Sequence, residues 1–330
     1  MGYFDIIREG IKTGHRNLAV LLTQILAGGA LLIVFVVLSA TLALTAIGSL
    51  AGIDFGSLSP DNIAGIFKGS VSLVAMIVVF GMIFLAVAAL ITSYVHAGNL
   101  GCIISTARGR AAGFRFSTFF STGRGSMLAM LGLYIIFLLI VVGTFLVFGA
   151  FAGAGIYAVL MPLKEAGRNV LAFGLGAPFF LALILAAMLC LFVLFSVWTF
   201  SSIILVGERI GAFPALKAAY RFIRANFWDF FLFALLMLAL VFAANLLTEI
   251  VSMPYTLKAK ADPIGALWLI PFFLIGVLLQ MYVGLLARSS FAVYYVVRTG
   301  GPEAALETPV SVPPDSGPAG TGEGQAGASL

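Results

Sequence analysis

Polar side chains recur near the ends of three long apolar stretches, where they are the residues best placed to do chemistry. The set comprises His96, Asn99, Thr199, Ser201, Ser202, Arg288, Ser289 and Ser290. An offset of 100 residues aligns Asn99 with Thr199, and an offset of 91 aligns Thr199 with Ser290. Polar groups at the depth of a membrane are costly and are therefore candidates for function. We predict that three parts of the chain contribute them to one intramembrane polar ring.

These residues do not form a recognisable catalytic or metal-binding set. The polar set contains neither a Ser, His and Asp combination nor a pair of carboxylates at membrane depth, as hydrolysis would require. His96 has no second His, Cys or carboxylate at ligand spacing, so we interpret it as a hydrogen-bonded packing residue rather than a metal ligand. Cys102 and Cys190 stand alone in apolar sequence. We therefore expect a protein that is not an enzyme, with no catalytic residue, no metal and no cofactor.

Arg288 is the most informative member of the polar set because 25 uncharged residues precede it. It lies ten residues before Arg298, which is about 15 Å along a helix. If it marks the inner membrane interface, residues 291–297 continue as a helical extension and its cost is small, because the long stem reaches the headgroups. If it lies deeper, about 2.5–3.5 kcal/mol must be offset by a partner or by water. We favour the interface and keep both interpretations open.

The elements that must position these residues are transmembrane helices. The chain is 62% apolar and only 9% charged, whereas soluble domains are about 25% charged. A span needs about 20 apolar residues, and six uncharged stretches meet that length. They cover residues 17–53, 69–107, 125–163, 169–207, 230–248 and 263–287. The sequence predicts an all-α integral membrane bundle of about six transmembrane helices.

The distribution of basic residues predicts the orientation. Thirteen Lys and Arg residues fall on the side that holds the N-terminus, against five on the other side. Cytoplasmic segments keep Lys and Arg, so we expect a bacterial inner-membrane protein with both termini in the cytoplasm. The net charge of +5 then indicates contact with anionic lipid rather than with nucleic acid.

Self-comparison predicts three repeat units, at about residues 3–110, 111–210 and 211–300. Offsets of 100 and 209 residues align Arg124 with Arg224 and Lys12 with Arg221. The shared pattern, clearest from Phe213 to Phe227, predicts an interfacial helix with an apolar stripe and a basic face, followed by a helical hairpin. Glycine, serine and threonine in the middle unit predict that its interfacial helix is the loosest of the three. The candidate anionic-lipid contacts are Arg8, Lys12, Arg16, Arg115, Arg124, Lys217, Arg221 and Arg224.

The third unit carries a family resemblance. Glu208 follows a span, Gly211 precedes Ala215-Leu216-Lys217, and Arg224 with Asn226-Phe227 leads into the next span. This arrangement resembles the membrane domain attached to some bacterial glycerophosphodiester phosphodiesterases, and related multi-pass families of unassigned role. The resemblance implies a helical membrane bundle and lipid-related biology, without phosphodiesterase activity, because the soluble catalytic barrel is missing.

The last 30 residues, 301–330, are rich in Pro and Gly and carry four acidic but no basic residues, which predicts a disordered cytoplasmic tail. For the membrane domain, residues 1–300, we predict a non-catalytic role in organising or assisting membrane lipids, preferentially anionic ones, or a partner membrane protein. The alternative is a transporter or channel for a small or amphiphilic solute, which would need a continuous cavity that reaches the polar ring.

Overall fold

The computed structural model describes residues 2–50, 60–157, 161, 165, 167, 169–261 and 269–300. Within these residues it contains no β-strand and eight α-helices: α1 (Tyr3–Arg16), α2 (Ala19–Leu50), α3 (Pro60–Ala107), α4 (Phe116–Gly155), α5 (Asn169–Glu208), α6 (Ala212–Ala225), α7 (Phe227–Ala261) and α8 (Leu269–Arg298). The predicted all-α fold is confirmed. The predicted tail lies outside the described residues.

Six of the helices are long and apolar enough to cross a membrane. The candidate spans are Ala19–Thr45, Val74–Ala107, Phe116–Gly155, Gly176–Glu208, Phe227–Leu247 and Leu274–Arg298. Each holds at least the 20 or so residues that a bilayer requires. The chain is thus a multi-pass membrane protein, as the six apolar stretches predict.

Helices α3, α5 and α8 contact one another and form the centre of the bundle. Near the C-terminal end of each, seven or eight consecutive residues are buried, at 97–104, 200–206 and 289–296. A helix that is buried on all sides for two turns lies inside a protein core. Aromatic rings fill this core, and the ring centroids of Phe233 and Tyr294 lie 4.6 Å apart.

Each central helix is covered by a helical segment from another part of the chain: α3 by the start of α4, α5 by α6, and α8 by α1. Glycines permit two of these contacts. A Cβ atom at Gly10 of α1 would collide with Ser290 of α8, and a Cβ atom at Gly98 of α3 would lie 2.6 Å from the Phe119 ring of α4. The three-unit repeat itself stays a prediction.

The two short helices, α1 and α6, have the same ends. Gly2 and Gly211 precede them with extended backbones, at φ −75°, ψ 165° and φ −70°, ψ 168°. At the other end, the side-chain amides of Asn17 and Asn226 each donate to the carbonyl four residues earlier, at 2.8 and 3.0 Å. Residues so arranged stop a helix and turn the chain into the next one.

The middle unit differs from the prediction of a separate interfacial helix. Residues 108–115 are not helical, and α4 runs without a break from Phe116 to Gly155. The segment that was expected to be a loose, separate helix is therefore the first part of the span. The prediction of a third short helix is therefore wrong, since the described residues contain two, α1 and α6. That these two lie at the membrane interface stays a prediction.

The burial is confined to one end of the bundle. This end holds α1, α6, the start of α4 and the C-terminal ends of α3, α5 and α8, and we call it the basic end. Toward the opposite end the helices expose large apolar side chains, such as Leu32, Leu85 and Leu146. Such surfaces suit a lipid environment, which is as apolar as the side chains.

Candidate functional site

Five of the eight predicted polar residues border two cavities rather than one ring. The first cavity, of about 250 Å³, is lined on its polar side by His96, Thr199, Ser202 and Arg288, and we call it the α5 cavity. The second, of about 300 Å³, is lined on its polar side by Gln24, Thr92, His96, Asn99, Tyr134 and Arg288, and we call it the α2 cavity. His96 and Arg288 belong to both and form the wall between them.

Asn99 and Thr199, which the 100-residue offset aligns, face different cavities. The Asn99 carbonyl oxygen accepts a hydrogen bond of 2.8 Å from Thr23 of α2. Thr199 donates to the carbonyl of Phe195 within its own helix, at 2.9 Å. The two residues thus share a height in the bundle but no contact.

The two serines after Arg288 face away from both cavities. Ser290 is buried against Gly10 of α1 and donates to the carbonyl of Leu286 at 2.9 Å. Ser289 is fully buried and lies beside Gly14, and Ser201 is likewise fully buried. Neither Ser289 nor Ser201 has a hydrogen-bond partner among the described residues. The prediction of one ring that includes these serines is therefore wrong.

His96 is a packing residue, as predicted, but it is not hydrogen-bonded within the described residues. Its ring centroid lies 6.1 Å from that of Tyr134 and 6.3 Å from that of Trp198. Trp198 in turn packs on Tyr134 at 4.6 Å. This aromatic group fixes the imidazole between the two cavities, with its nitrogen atoms free to meet an occupant.

Arg288 makes no ion pair or hydrogen bond with any described residue. The predicted helical continuation to Arg298 is present. It is the buried centre of the bundle over residues 291–296 and does not emerge from it. Arg288 thus leaves an unpaired guanidinium group on the wall of both cavities.

All eight predicted lipid-contact residues have exposed side chains at the basic end: Arg8, Lys12, Arg16, Arg115, Arg124, Lys217, Arg221 and Arg224. Only Lys12 forms an ion pair with a described residue, Glu9, at 3.1 Å. Exposed apolar residues lie beside them on the two short helices, with Phe4 78% and Phe213 71% exposed. Basic and apolar groups side by side suit the boundary between headgroups and acyl chains.

The sequence analysis missed two interhelical networks at this end. Arg108 pairs with Glu208 at 3.0 Å and also donates to the Gly207 carbonyl at 3.0 Å. The Tyr295 hydroxyl donates to the same Glu208 carboxylate at 3.3 Å. The only sequence signal was the 100-residue offset, which places Arg108 and Glu208 at equivalent positions.

The second network joins α1, α7 and α8. Arg298 pairs with Asp229 at 2.9 Å, and the Tyr3 hydroxyl donates to Asp229 at 2.9 Å. This hydrogen bond raises the pKa of the Tyr3 phenol, to which desolvation and the carboxylate charge also contribute, while Arg298 opposes the shift. The network ties the start of the chain to the end of the last helix.

Within the described residues, no group of three or more His, Cys, Asp and Glu side chains is placed to hold a metal ion. The site presents a cation and an imidazole between two partly polar cavities, and a set of exposed cations at the basic end. No family model, no curated protein and no solved structure matches the chain. The resemblance to the phosphodiesterase-associated membrane domain rests on the residues between Glu208 and Phe227 alone.

Proposed function

We propose that this is a non-catalytic membrane protein that binds and organises anionic lipids at its basic end. The observation that carries the proposal is the exposure of all eight basic side chains at that end, seven of them without an ion pair among the described residues. Anionic lipids attract such cations by about 1 kcal/mol for each Lys or Arg near the membrane surface. The family resemblance of the third unit agrees with a lipid-related role.

The proposal includes an orientation. Anionic lipid on the cytoplasmic leaflet of a bacterial inner membrane would meet the basic end if both termini are cytoplasmic. Reporter fusions after residues 60, 165 and 260 should all report the periplasmic side. A cytoplasmic signal at all three positions would reverse the orientation.

Hydrogen exchange of α6 in lipid nanodiscs tests the lipid role. Residues 212–225 should exchange more slowly in phosphatidylglycerol than in phosphatidylcholine, because Lys217, Arg221 and Arg224 would hold the helix against the anionic surface. The triple variant Lys217→Gln, Arg221→Gln, Arg224→Gln should lose this difference. The charge-preserving variant Lys217→Arg, Arg221→Lys, Arg224→Lys is the matched control and should keep it. Equal exchange of the wild-type helix in both lipids would refute the proposal.

The two cavities favour a second candidate function, the transport of a small amphiphilic solute. They lie on either side of His96 and Arg288, and a solute that passed between them would meet the unpaired guanidinium group. Transport would require this wall to open, because the two cavities are separate.

Cysteine accessibility tests this second function. In a background with Cys102→Ala and Cys190→Ala, single cysteines at Thr199 and Gln24 report on the α5 and α2 cavities respectively. A transporter requires both to react with a membrane-impermeant thiosulfonate. Thr41→Cys, on the apolar surface of α2, is the unreactive control. If the two cavity positions react no faster than this control, the cavities are closed and transport is excluded.

A further inference from the structure

A third cavity, of about 300 Å³, lies at the basic end between the start of α4 and the loop that joins α5 to α6. Its lining is rich in hydrogen-bond donors: Ser121, Thr122, Ser126, Arg209 and Gly211. Ala129 and Ile210 supply an apolar part. It shares no lining residue with the α5 and α2 cavities, so it is a separate site.

Ser126 is the clearest sign that this cavity holds a ligand. Its side chain belongs to a residue that is only 6% exposed, and it lines the cavity. Its hydroxyl forms no hydrogen bond with any described residue, although other serines and threonines of the spans, such as Ser196 and Thr144, bond to their own helix backbone. The hydroxyl group of Ser126 is therefore open to the cavity and can donate a hydrogen bond to an occupant or accept one from it.

Arg209 brings a positive charge to the same cavity. Its side chain is exposed and makes no ion pair with the described residues. Its backbone has φ 54°, the only positive φ among the described residues other than glycine. A left-handed backbone is unfavourable for arginine, so a glycine would fit this position better. Arg209 directly follows α5, where a residue with a left-handed backbone commonly ends a helix.

The N-terminus of α6 contributes the remaining donor. Gly211 caps this helix without a side-chain hydrogen bond, and the first helical amide with a backbone partner is that of Ala215. Of the residues at this end of the helix, Gly211 lines the cavity. Its amide, together with the dipole of α6, favours an anion.

From these features we infer that the third cavity binds a single phosphoryl group. A phosphate offers tetrahedral oxygens that accept from the Arg209 guanidinium, the Ser126 hydroxyl and the Gly211 amide, which belong to residues that line the cavity. A cavity of this volume holds a phosphate with a small substituent, such as a lipid headgroup, while acyl chains would extend past Ala129 toward the membrane. The inference rests on the proposed lipid function, to which it gives a defined site.

Binding of two phosphoryl probes to the full chain in detergent micelles tests the site. The probes are dioctanoyl phosphatidylglycerol, as a lipid headgroup, and inorganic phosphate, as a free anion. Native mass spectrometry measures the affinity for the lipid. The affinity for phosphate is measured from the rise in unfolding temperature as phosphate is added. Arg209→Gly should weaken binding about tenfold or more, because a charge-assisted hydrogen bond is lost, and should also relieve the backbone. Ser126→Ala should weaken it about two- to tenfold.

Two matched controls separate the site from general charge effects. Arg110→Gln removes an exposed arginine of the same end that does not line the cavity, and Ser117→Ala removes an exposed hydroxyl of the same helix. Neither should change binding. If the two site variants bind both probes more weakly, the cavity is a general phosphoryl site. If only lipid binding is weakened, it is a headgroup site, and if only phosphate binding is weakened, it is a site for a soluble anion. If Arg209→Gly and Ser126→Ala bind both probes as the wild type does, the inference is overturned.

The outcome is distinguishable from failure of the proposed function. If Arg209→Gly loses binding but α6 of the wild type exchanges equally in anionic and neutral nanodiscs, the phosphoryl site stands and the broader role of the basic end is refuted. If Arg209→Gly binds like the wild type but α6 exchanges more slowly in anionic nanodiscs, the phosphoryl site alone is refuted.

Discussion

Arg108 and Glu208, which are one hundred residues apart, form an ion pair of 3.0 Å between the residue that follows α3 and the last residue of α5. The side chain of Arg108 is 20% exposed and that of Glu208 is 47% exposed. The pair is tied to α8 through the Tyr295 hydroxyl. It therefore links all three central helices at the point where they end.

Removal of Arg108 should loosen this link. We expect Arg108→Gln to lower the free energy of unfolding by about 1 kcal/mol, since the variant loses a partly screened ion pair and the bond to the Gly207 carbonyl. The measurement is reversible unfolding in mixed micelles. A double-mutant cycle with Glu208→Gln should give a coupling energy of several tenths of a kcal/mol. Additive effects would show that the two side chains do not act together.

The packing of α1 on α8 depends on a missing Cβ atom. In Gly10→Ala the new methyl group would lie 2.5 Å from the Cα atom of Ser290, which is too close for two carbon atoms. We expect the variant to lose about 1–3 kcal/mol in the free energy of unfolding, because the two helices must move apart.

Gly29→Ala is the matched control for Gly10→Ala, because nothing lies within 4 Å of its added Cβ atom in α2. It should be neutral or more stable by up to about 1 kcal/mol, as alanine favours a helix. Equal stability losses in the two variants would mean that helix propensity, and not the contact with Ser290, decides the result.

The positions of the spans could be predicted from the sequence because apolar length alone defines them. The absence of a separate short helix in the middle unit could not be predicted, because a short helix and the first turns of a span have the same apolar spacing. The distinction lies in the residue that ends the short helix. Asn17 and Asn226 bond back to their own helices, whereas Ser126, at the position 100 residues before Asn226, does not interrupt α4.

The polar ring was a wrong prediction for a geometric reason. A sequence offset predicts which residues lie at similar positions along their helix axes. It does not predict which way their side chains point, because each residue along a helix turns the side chain by about 100° around the axis. Gly98 of α3 meets Phe119, so its neighbour Asn99 points to the α2 cavity. Ser290 of α8 itself takes the contact with the covering helix, at Gly10, and so cannot line a cavity.

The hydrogen bond from Tyr3 to Asp229 predicts a dependence of stability on pH. The folded state raises the pKa of this phenol above the value of about 10 in the unfolded chain. Its contribution to stability is therefore complete below pH 10 or so and is lost as the pH rises through the folded-state pKa. Between pH 9 and 11 the wild type should lose more unfolding free energy than Tyr3→Phe.

Unfolding titrations of both proteins, with Tyr220→Phe as the control, check this dependence. Tyr220 is exposed and has no hydrogen bond among the described residues, so its variant should follow the wild-type curve. A Tyr3→Phe curve that also superimposes on the wild type would show that the bond to Asp229 does not persist in solution.

Arg298 has an ion-pair partner among the described residues, whereas Arg288 has none. Variants of the two residues therefore test whether Arg288 is an unpaired cation between the two cavities. Part of the Arg288 side chain is exposed, so its charge is partly solvated. Arg288→Met keeps the length of the side chain and removes the charge, so in detergent without added lipid we expect it to raise the free energy of unfolding by up to about 1 kcal/mol. Arg298→Met should lower it by about 0.5–1 kcal/mol, because it removes a partly exposed ion pair with Asp229. If both variants were destabilised alike, Arg288 would have a structural partner in solution, and its place as a free cation between the two cavities would be wrong.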